Sequence, residues 1–388
     1  MKYSTTDFLK AATVTAEHFG FRTIDNLKKN TECKNCQSGL NHSFHPKDAA
    51  LDPHGGVSTS ALSAFCEEKI YAINQPVLLY HIDQTNKADQ LALSLNIFNV
   101  QKSIAEAILI QAARSLLNEV GISDHLVRIN SLGDSESIAR YVRELTMFLR
   151  KRLDAISPIA REKLKEHPLL ALQQMIAEDH ELVYRSPNPL EYLSDQSRKH
   201  FREIVEYLDM SEAPYEIDPK MIGHHDFYSD ALFSIDQISA NDDVSWPLSV
   251  RGGRFNEYLY QKTKARIPAA GVVITLKDTK PVSRVPKMKI LPQTVYVVQL
   301  GFGPKMRSLM IIDSLKQAGI PVLHDLANDS LSAQLRDAEG RGVRYTIIVG
   351  QKEYVDKTVI LRDMHERSQE PVTLDQLLKR LKRQVSVS

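Results

Sequence analysis

A change of pattern near residue 290 constrains the fold more than any other feature. Residues 278–293 (DTKPVSRVPKMKILPQ) hold three prolines and show neither a helical nor an alternating period, so they read as a linker. Beyond them the apolar pattern becomes regular. Residues 294–300 (TVYVVQL), 320–324 and 345–349 are short runs of strand composition. Between them, 304–317 and 330–341 have helical spacing and are closed by Gly319 and Gly342. A short strand at 358–361 and a basic helix at 374–383 complete the segment. Strands alternating with helices predict a small α/β domain with a mostly parallel sheet.

The longer upstream part is mixed. Residues 5–19 read as a helix ended by Gly20, and 21–24 as a strand. Residues 25–53 are polar and rich in Lys, Asn, Cys and His, hence loop; 58–70 has helical spacing. Residues 75–82 (QPVLLYHI) and 92–100 are strand candidates, and 103–120 is an amphipathic helix stopped by Gly121. A strand at 125–129 leads to a helix at 135–154, with Ser135 as N-cap. Residues 155–210 form a charged helical insertion. The stretches 221–235 and 250–262 are strand-rich, with Gly252-Gly253 as a turn, and 269–276 is a buried strand.

Composition narrows the classes. With 49 basic and 48 acidic residues, a net charge of +1 gives no overall field for nucleic acid, so an RNA-binding face must be a local patch. Three cysteines, Cys33, Cys36 and Cys66, do not make a disulfide scaffold, which favours a reducing cytoplasm. The N-terminus lacks the apolar stretch of a signal peptide, and no run of about 18 apolar residues exists to span a membrane.

Five stretches in order then resemble the histidyl-tRNA synthetase family, whose members are class II aminoacyl-tRNA synthetases. Arg128-Ile129-Asn130-Ser131-Leu132-Gly133-Asp134, with Arg140 and Tyr141, is similar to its I-N-S-L-G-D strand and turn. His167-Pro168-Leu169-Leu170-Ala171-Leu172 is similar to N-P-L-R-I-L, and residues 186–208 to the helix pair that follows. Residues 215–233 resemble the histidine-specific segment containing R-G-L-D-Y-Y. Arg251-Gly252-Gly253-Arg254-Phe255 and Ala269-Ala270-Gly271 resemble G-G-R-Y-D and the start of motif 3. Residues 294–383 resemble the family's anticodon-binding domain. The resemblance is weakest over 25–100.

The resemblance implies an α/β fold. A class II antiparallel-sheet core spans 1–280 and carries the insertion at about 155–210. A linker at 281–293 leads to an anticodon-binding-like domain at 294–388. It also implies a homodimer. Amino-acid activation by ATP sets an α-phosphate against a carboxylate, and the family clamps both with arginines whose planar fork grips phosphate. Here the stretch matching motif 2, residues 81–90, has no arginine; motif 3 ends in Thr275-Leu276-Lys277-Asp278, with Asp278 where arginine belongs; and Gly223 stands at the arginine of R-G-L-D-Y-Y. Residues 92–96 offer no carboxylate for a histidine substrate. Each lost clamp typically costs about 10²–10³ in rate. Lys87, Lys277 or Arg251 would have to replace them, the lysines only as point charges.

Other candidates carry paired readings. Cys33, Cys36, His42 and His45 have ligand types suited to zinc, or belong to an exposed loop with free thiols. His224-His225 point to opposite faces if extended, so they do not share one ligand. Asp226, Phe227 and Tyr228 match D-Y-Y; with Phe255 the aromatic pair lines a residual small-molecule pocket or is plain core packing. Arg251 to Arg254 either cradle a phosphate or form a structural turn beside the old site, next to Gly271. Lys379, Arg380, Lys382 and Arg383 either touch RNA phosphates or form a solvated helix face. Gly301-Phe302-Gly303 lacks the third glycine of a dinucleotide loop.

Three functions follow as expectations. The first is a catalytically silent synthetase relative that binds tRNA, another RNA or a protein partner. The second is an active histidine–tRNA ligase using ATP and histidine at a rewired site. The third is a regulatory subunit of the ATP phosphoribosyltransferase of histidine biosynthesis, which commonly lacks the anticodon-binding domain.

Overall fold

The computed structural model describes residues 5–23, 65, 75–85, 90–223, 227–238, 248–277 and 295–385. The first sheet is built from β1 (Val77–Thr85), β2 (Gln90–Phe98), β3 (His125–Gly133), β4 (Tyr215–Ile217), β5 (Ser229–Gln237), β6 (Leu248–Arg254) and β7 (Ala269–Leu276). Its order is β1-β2-β7-β6-β5-β3-β4. Every pairing is antiparallel except β3 with β4. Helices α1 (Thr5–His18), α2 (Ile104–Glu119) and α6 (Asp195–Met210) share one apolar core with one sheet face. On the other face lies a second core, to which α3 (Ser135–Arg150), α4 (Pro158–Glu166) and α5 (Pro168–Ala177) contribute.

The second sheet joins β8 (Val295–Gln299), β9 (Val322–His324), β10 (Tyr345–Val349), β11 (Thr358–Asp363) and β12 (Ser368–Thr373) in the order β12-β11-β10-β8-β9. Helices α8 (Phe302–Gln317), α9 (Leu331–Gly340), α10 (Gln351–Val355) and α11 (Leu374–Val385) surround it. The sheet has five strands, one more than the four runs read from the sequence, and it is mixed rather than mostly parallel. β8 is parallel to β9 and β10, whereas β10–β11 and β11–β12 are antiparallel. The unforeseen strand, SQEPVT, is polar and contains Pro371, which is tolerated because β12 is an exposed edge.

Three local expectations are corrected. The strand expected at 250–262 stops at Arg254, and α7 (Asn256–Thr263) follows. Gly252 and Gly253 lie inside β6 and make no turn: β6 pairs with β5 and β7 on its two sides. The N-cap of α3 is Asp134 rather than Ser135, its carboxylate accepting from the Ser137 amide at 2.9 Å. Residues 21–23 contribute one isolated bridge, Arg22 to Leu79, and the helix expected at 58–70 lies outside the described residues apart from Phe65.

Arg254 ties β6 to α2. It is fully buried, and its Nε and Nη2 donate to the two Glu106 oxygens at 2.7 and 2.8 Å. Nη1 donates to the Val100 carbonyl at 3.0 Å, and Nη2 also to the Lys102 carbonyl at 3.3 Å. His200 of α6 stands 3.1 Å from Glu106 Oε1. Burial alone would raise the Glu106 carboxyl, but Arg254 and His200 outweigh it and hold it below the usual carboxylate range.

The apolar core beneath α2 runs on into the second sheet through Leu309, Ile312 and Val297. His18 Nε2 meets the Ile312 carbonyl at 2.8 Å, Lys316 pairs with Glu119, and Lys102 pairs with Asp329. Burial lowers His18 to about 4; burial, with His18 and Arg22 nearby, lowers His324 to about 3.

Two predictions follow from this packing. Arg254→Met should cost about 3–5 kcal/mol in urea unfolding, because it strands a buried carboxylate; adding Glu106→Gln should recover much of that loss. Both junction imidazoles are neutral in the fold and take a proton in the unfolded chain below about pH 6.5. Their contribution is therefore fully present above that pH and is lost as the pH falls toward the folded values. Urea midpoints should drop between about pH 6.5 and 5, and a His18→Gln, His324→Gln double variant should flatten that slope.

Candidate functional site

Strand pleating sends alternate residues to opposite faces, and the register assigns them in rows across the first sheet. One row of the helix-covered face reads Leu95, Val272, Gly252, Phe233, Ile129. The opposite face carries smaller and more polar residues. Its rows read Ser94, Val273, Arg251, Ser234, Arg128 and Asn96, Gly271, Gly253, Leu232, Asn130.

Paired Gly271 and Gly253 give this second row a low floor. A Cβ on Gly271 would lie 2.6 Å from Asn96 Oδ1, and one on Gly253 would lie 2.7 Å from the Ala231 carbonyl oxygen and 2.8 Å from Tyr228 Cδ1. Aromatic rings close over the floor. Phe227 stacks on Phe255 at 5.3 Å, meets Tyr258 at 4.6 Å and stands edge-on to Tyr228 at 4.9 Å. All four rings are buried.

The polar groups of this face include two amides and two guanidinium groups. Asn96 Nδ2 donates to Ser94 Oγ at 2.8 Å, and Asn130 Nδ2 to the Met221 carbonyl at 2.9 Å. The amide oxygens of both asparagines are buried without a hydrogen-bond partner among the described residues. Of the arginines on these two rows, Arg251 is exposed, and Arg128 lies between Glu216 and Asp236 at 3.5 and 3.7 Å. Neither is the buried, fixed fork that a polyphosphate clamp requires.

Gly223 is shut in. It has a left-handed backbone (φ +57°), its carbonyl accepts from Gln173 Nε2 of α5, and a Cβ there would lie 2.5 Å from Tyr228 Cδ2. A side chain at this position conflicts with both the backbone and the Tyr228 ring.

The fold therefore gathers Phe227, Tyr228, Gly253, Phe255 and Gly271, with Arg251 one row away. It separates two expected members. Gly252 faces the helices, where a Cβ would lie 2.5 Å from the Phe233 ring, and Arg254 is consumed by Glu106, so neither serves a phosphate on this face. Asp226, Asp278 and the proposed zinc ligands Cys33, Cys36, His42 and His45 lie outside the described residues, as does the Arg383 side chain. No group of three metal-ligating side chains occurs among the described residues. On α11, Leu377 and Leu381 are buried, while Lys379, Arg380 and Lys382 point outward; Arg380 is engaged by Glu370. Asn96 and Asn130 join this face without having been expected there. For Asn96 the sequence carries a signal: Ser94 and Asn96 alternate with Leu93, Leu95 and Ile97.

Phe255→Ala should cost about 3–5 kcal/mol in urea unfolding, as loss of a packed ring, whereas Arg251→Ala should stay within about 0.5 kcal/mol of wild type.

Comparison with known proteins bears on both sheets. The family described as Anticodon binding domain matches residues 294–384. Histidine–tRNA ligase of Latilactobacillus sakei is 26% identical over 81% of this chain and 75% of its own length. That of Lactiplantibacillus plantarum is 27% identical over 83% and 79%, and that of Halothermothrix orenii 27% identical over 87% and 83%. The chain is thus similar to histidine–tRNA ligases over most of its length, and residues 294–384 match the Anticodon binding domain family.

Proposed function

We propose that this chain is a synthetase relative that binds RNA of the tRNA class and does not activate histidine. The observation that carries the reading is Gly223. At the place of a family arginine the chain has a glycine whose left-handed backbone and Tyr228 neighbour leave no room for a side chain. Two further features point the same way. The buried amide oxygens of Asn96 and Asn130 on the glycine-floored row have no partner among the described residues, and Arg251 stands exposed with no partner among them to fix its plane. RNA binding is assigned to residues 294–388 as one working unit, with 1–280 as the other, because the Anticodon binding domain family matches 294–384 and α11 presents Lys379 and Lys382 outward.

Histidine-dependent exchange of pyrophosphate into ATP is the deciding assay. The expected rate is that of the protein-free control; exchange above it would restore the ligase reading. Filter binding of tRNA should show retention that falls steeply with salt, and Lys379→Ala with Lys382→Ala should lower the salt slope by roughly one to two. Absence of tRNA binding, with co-purification of a short phosphoribosyltransferase, would instead favour the regulatory-subunit function.

A further inference from the structure

We propose that the chain carries a second binding site, for a small organic cation with a primary ammonium group, in the cavity where β3, β5 and β6 lose register. The cavity measures about 310 Å³; Ser197, His200, Ser229 and Asp230 line its depth, and Glu257 and Arg266 its exposed mouth. It lies apart from the aromatic floor described above.

Two irregularities coincide there. The β3–β5 register shifts between Ser131 and Gly133, and the β5–β6 register between Ser229 and Leu232. Such bulges re-aim side chains out of a sheet. Asp230 takes a left-handed backbone (φ +53°), uncommon for a residue other than glycine.

Ser229 points to a ligand. It is 2% exposed and lines the cavity, yet its hydroxyl has no hydrogen-bond partner among the described residues. A buried polar group left this way costs about 1–3 kcal/mol. Beside it, Asp230 accepts from Ser197 Oγ at 3.1 Å, and burial pushes its carboxyl up.

The charges decide which ligand fits. Arg254, the nearest buried cation, is committed to Glu106. Asp134, also in the wall, spends its two oxygens on Ser137 and Ser194. His200, also in the depth, stands against Glu106 at 3.1 Å, so the Asp134 and Asp230 carboxylates outnumber the cations left in the depth, while Arg266 stands exposed at the mouth. An ammonium brings three donors and one positive charge, which match the Ser229 hydroxyl and the Asp230 carboxylate. A metal ion is the poorer match, since no group of three ligating side chains occurs among the described residues.

Titration calorimetry on the full chain with methylammonium, ethanolamine and putrescine tests this, with butane-1,4-diol as the uncharged control. At least one amine should bind at one site per chain, and the diol should give no heat. Asp230→Asn should weaken binding by about ten- to a hundredfold, the loss of one charge-assisted hydrogen bond. Asparagine accepts the left-handed backbone, so this variant should keep its thermal midpoint. Ser229→Ala should weaken binding by a smaller factor, and Glu370→Gln, on the second sheet, should leave it unchanged. Silence from all three amines, equal binding of the diol, or full affinity in a folded Asp230→Asn protein would overturn the site.

Discussion

The Arg254–Glu106 pair is the fixed point of the larger sheet. Two fully buried charges are tolerable only because each is almost completely engaged. The guanidinium meets both carboxylate oxygens and two backbone carbonyls, and the carboxylate also meets His200. The carbonyls of Val100 and Lys102 lie on the connection from β2 into α2. The pair therefore sets where that connection runs, as well as how α2 sits on the sheet. Isolated buried ion pairs are seldom the most stabilising choice, and their value lies in excluding other arrangements. Here the excluded arrangements are rotations or slips of α2 across the β-strands, which would separate five polar partners at once.

With α2 fixed, the two sheet faces divide their tasks. The helix-covered face takes the branched apolar residues. Gly252 lies there because Phe233 fills the space above it. The opposite face keeps its glycines for a different reason: Gly253 and Gly271 let the Tyr228 and Phe255 rings descend to the strand backbone. The same four residues thus give a tightly filled aromatic layer.

Much of this was legible in the sequence. The apolar runs and glycine stops located the second sheet's β8, β10 and α8, because short-range period and breaker residues fix such elements locally. The family motifs located β6 and β7. What the sequence concealed depends on long-range register. Nothing local in RGGRF separates Arg251 from Arg254, yet one is exposed and the other fully buried, because a β-strand three residues on has turned its face and reached α2. Nor does SQEPVT announce β12, an edge strand stabilised by its pairing with β11 rather than by its own composition. The unpartnered Asn96, Asn130 and Ser229 oxygens are likewise products of tertiary placement.

The closure around Gly223 has an evolutionary consequence. An arginine there meets two obstacles, the sign of φ and the volume held by Tyr228. A single codon change would meet both and gain nothing, so Tyr228 and the backbone at residue 223 would have to change first. An arginine at this place therefore requires several changes together. The packing of one tyrosine against one glycine thus acts as a ratchet on what this scaffold can become.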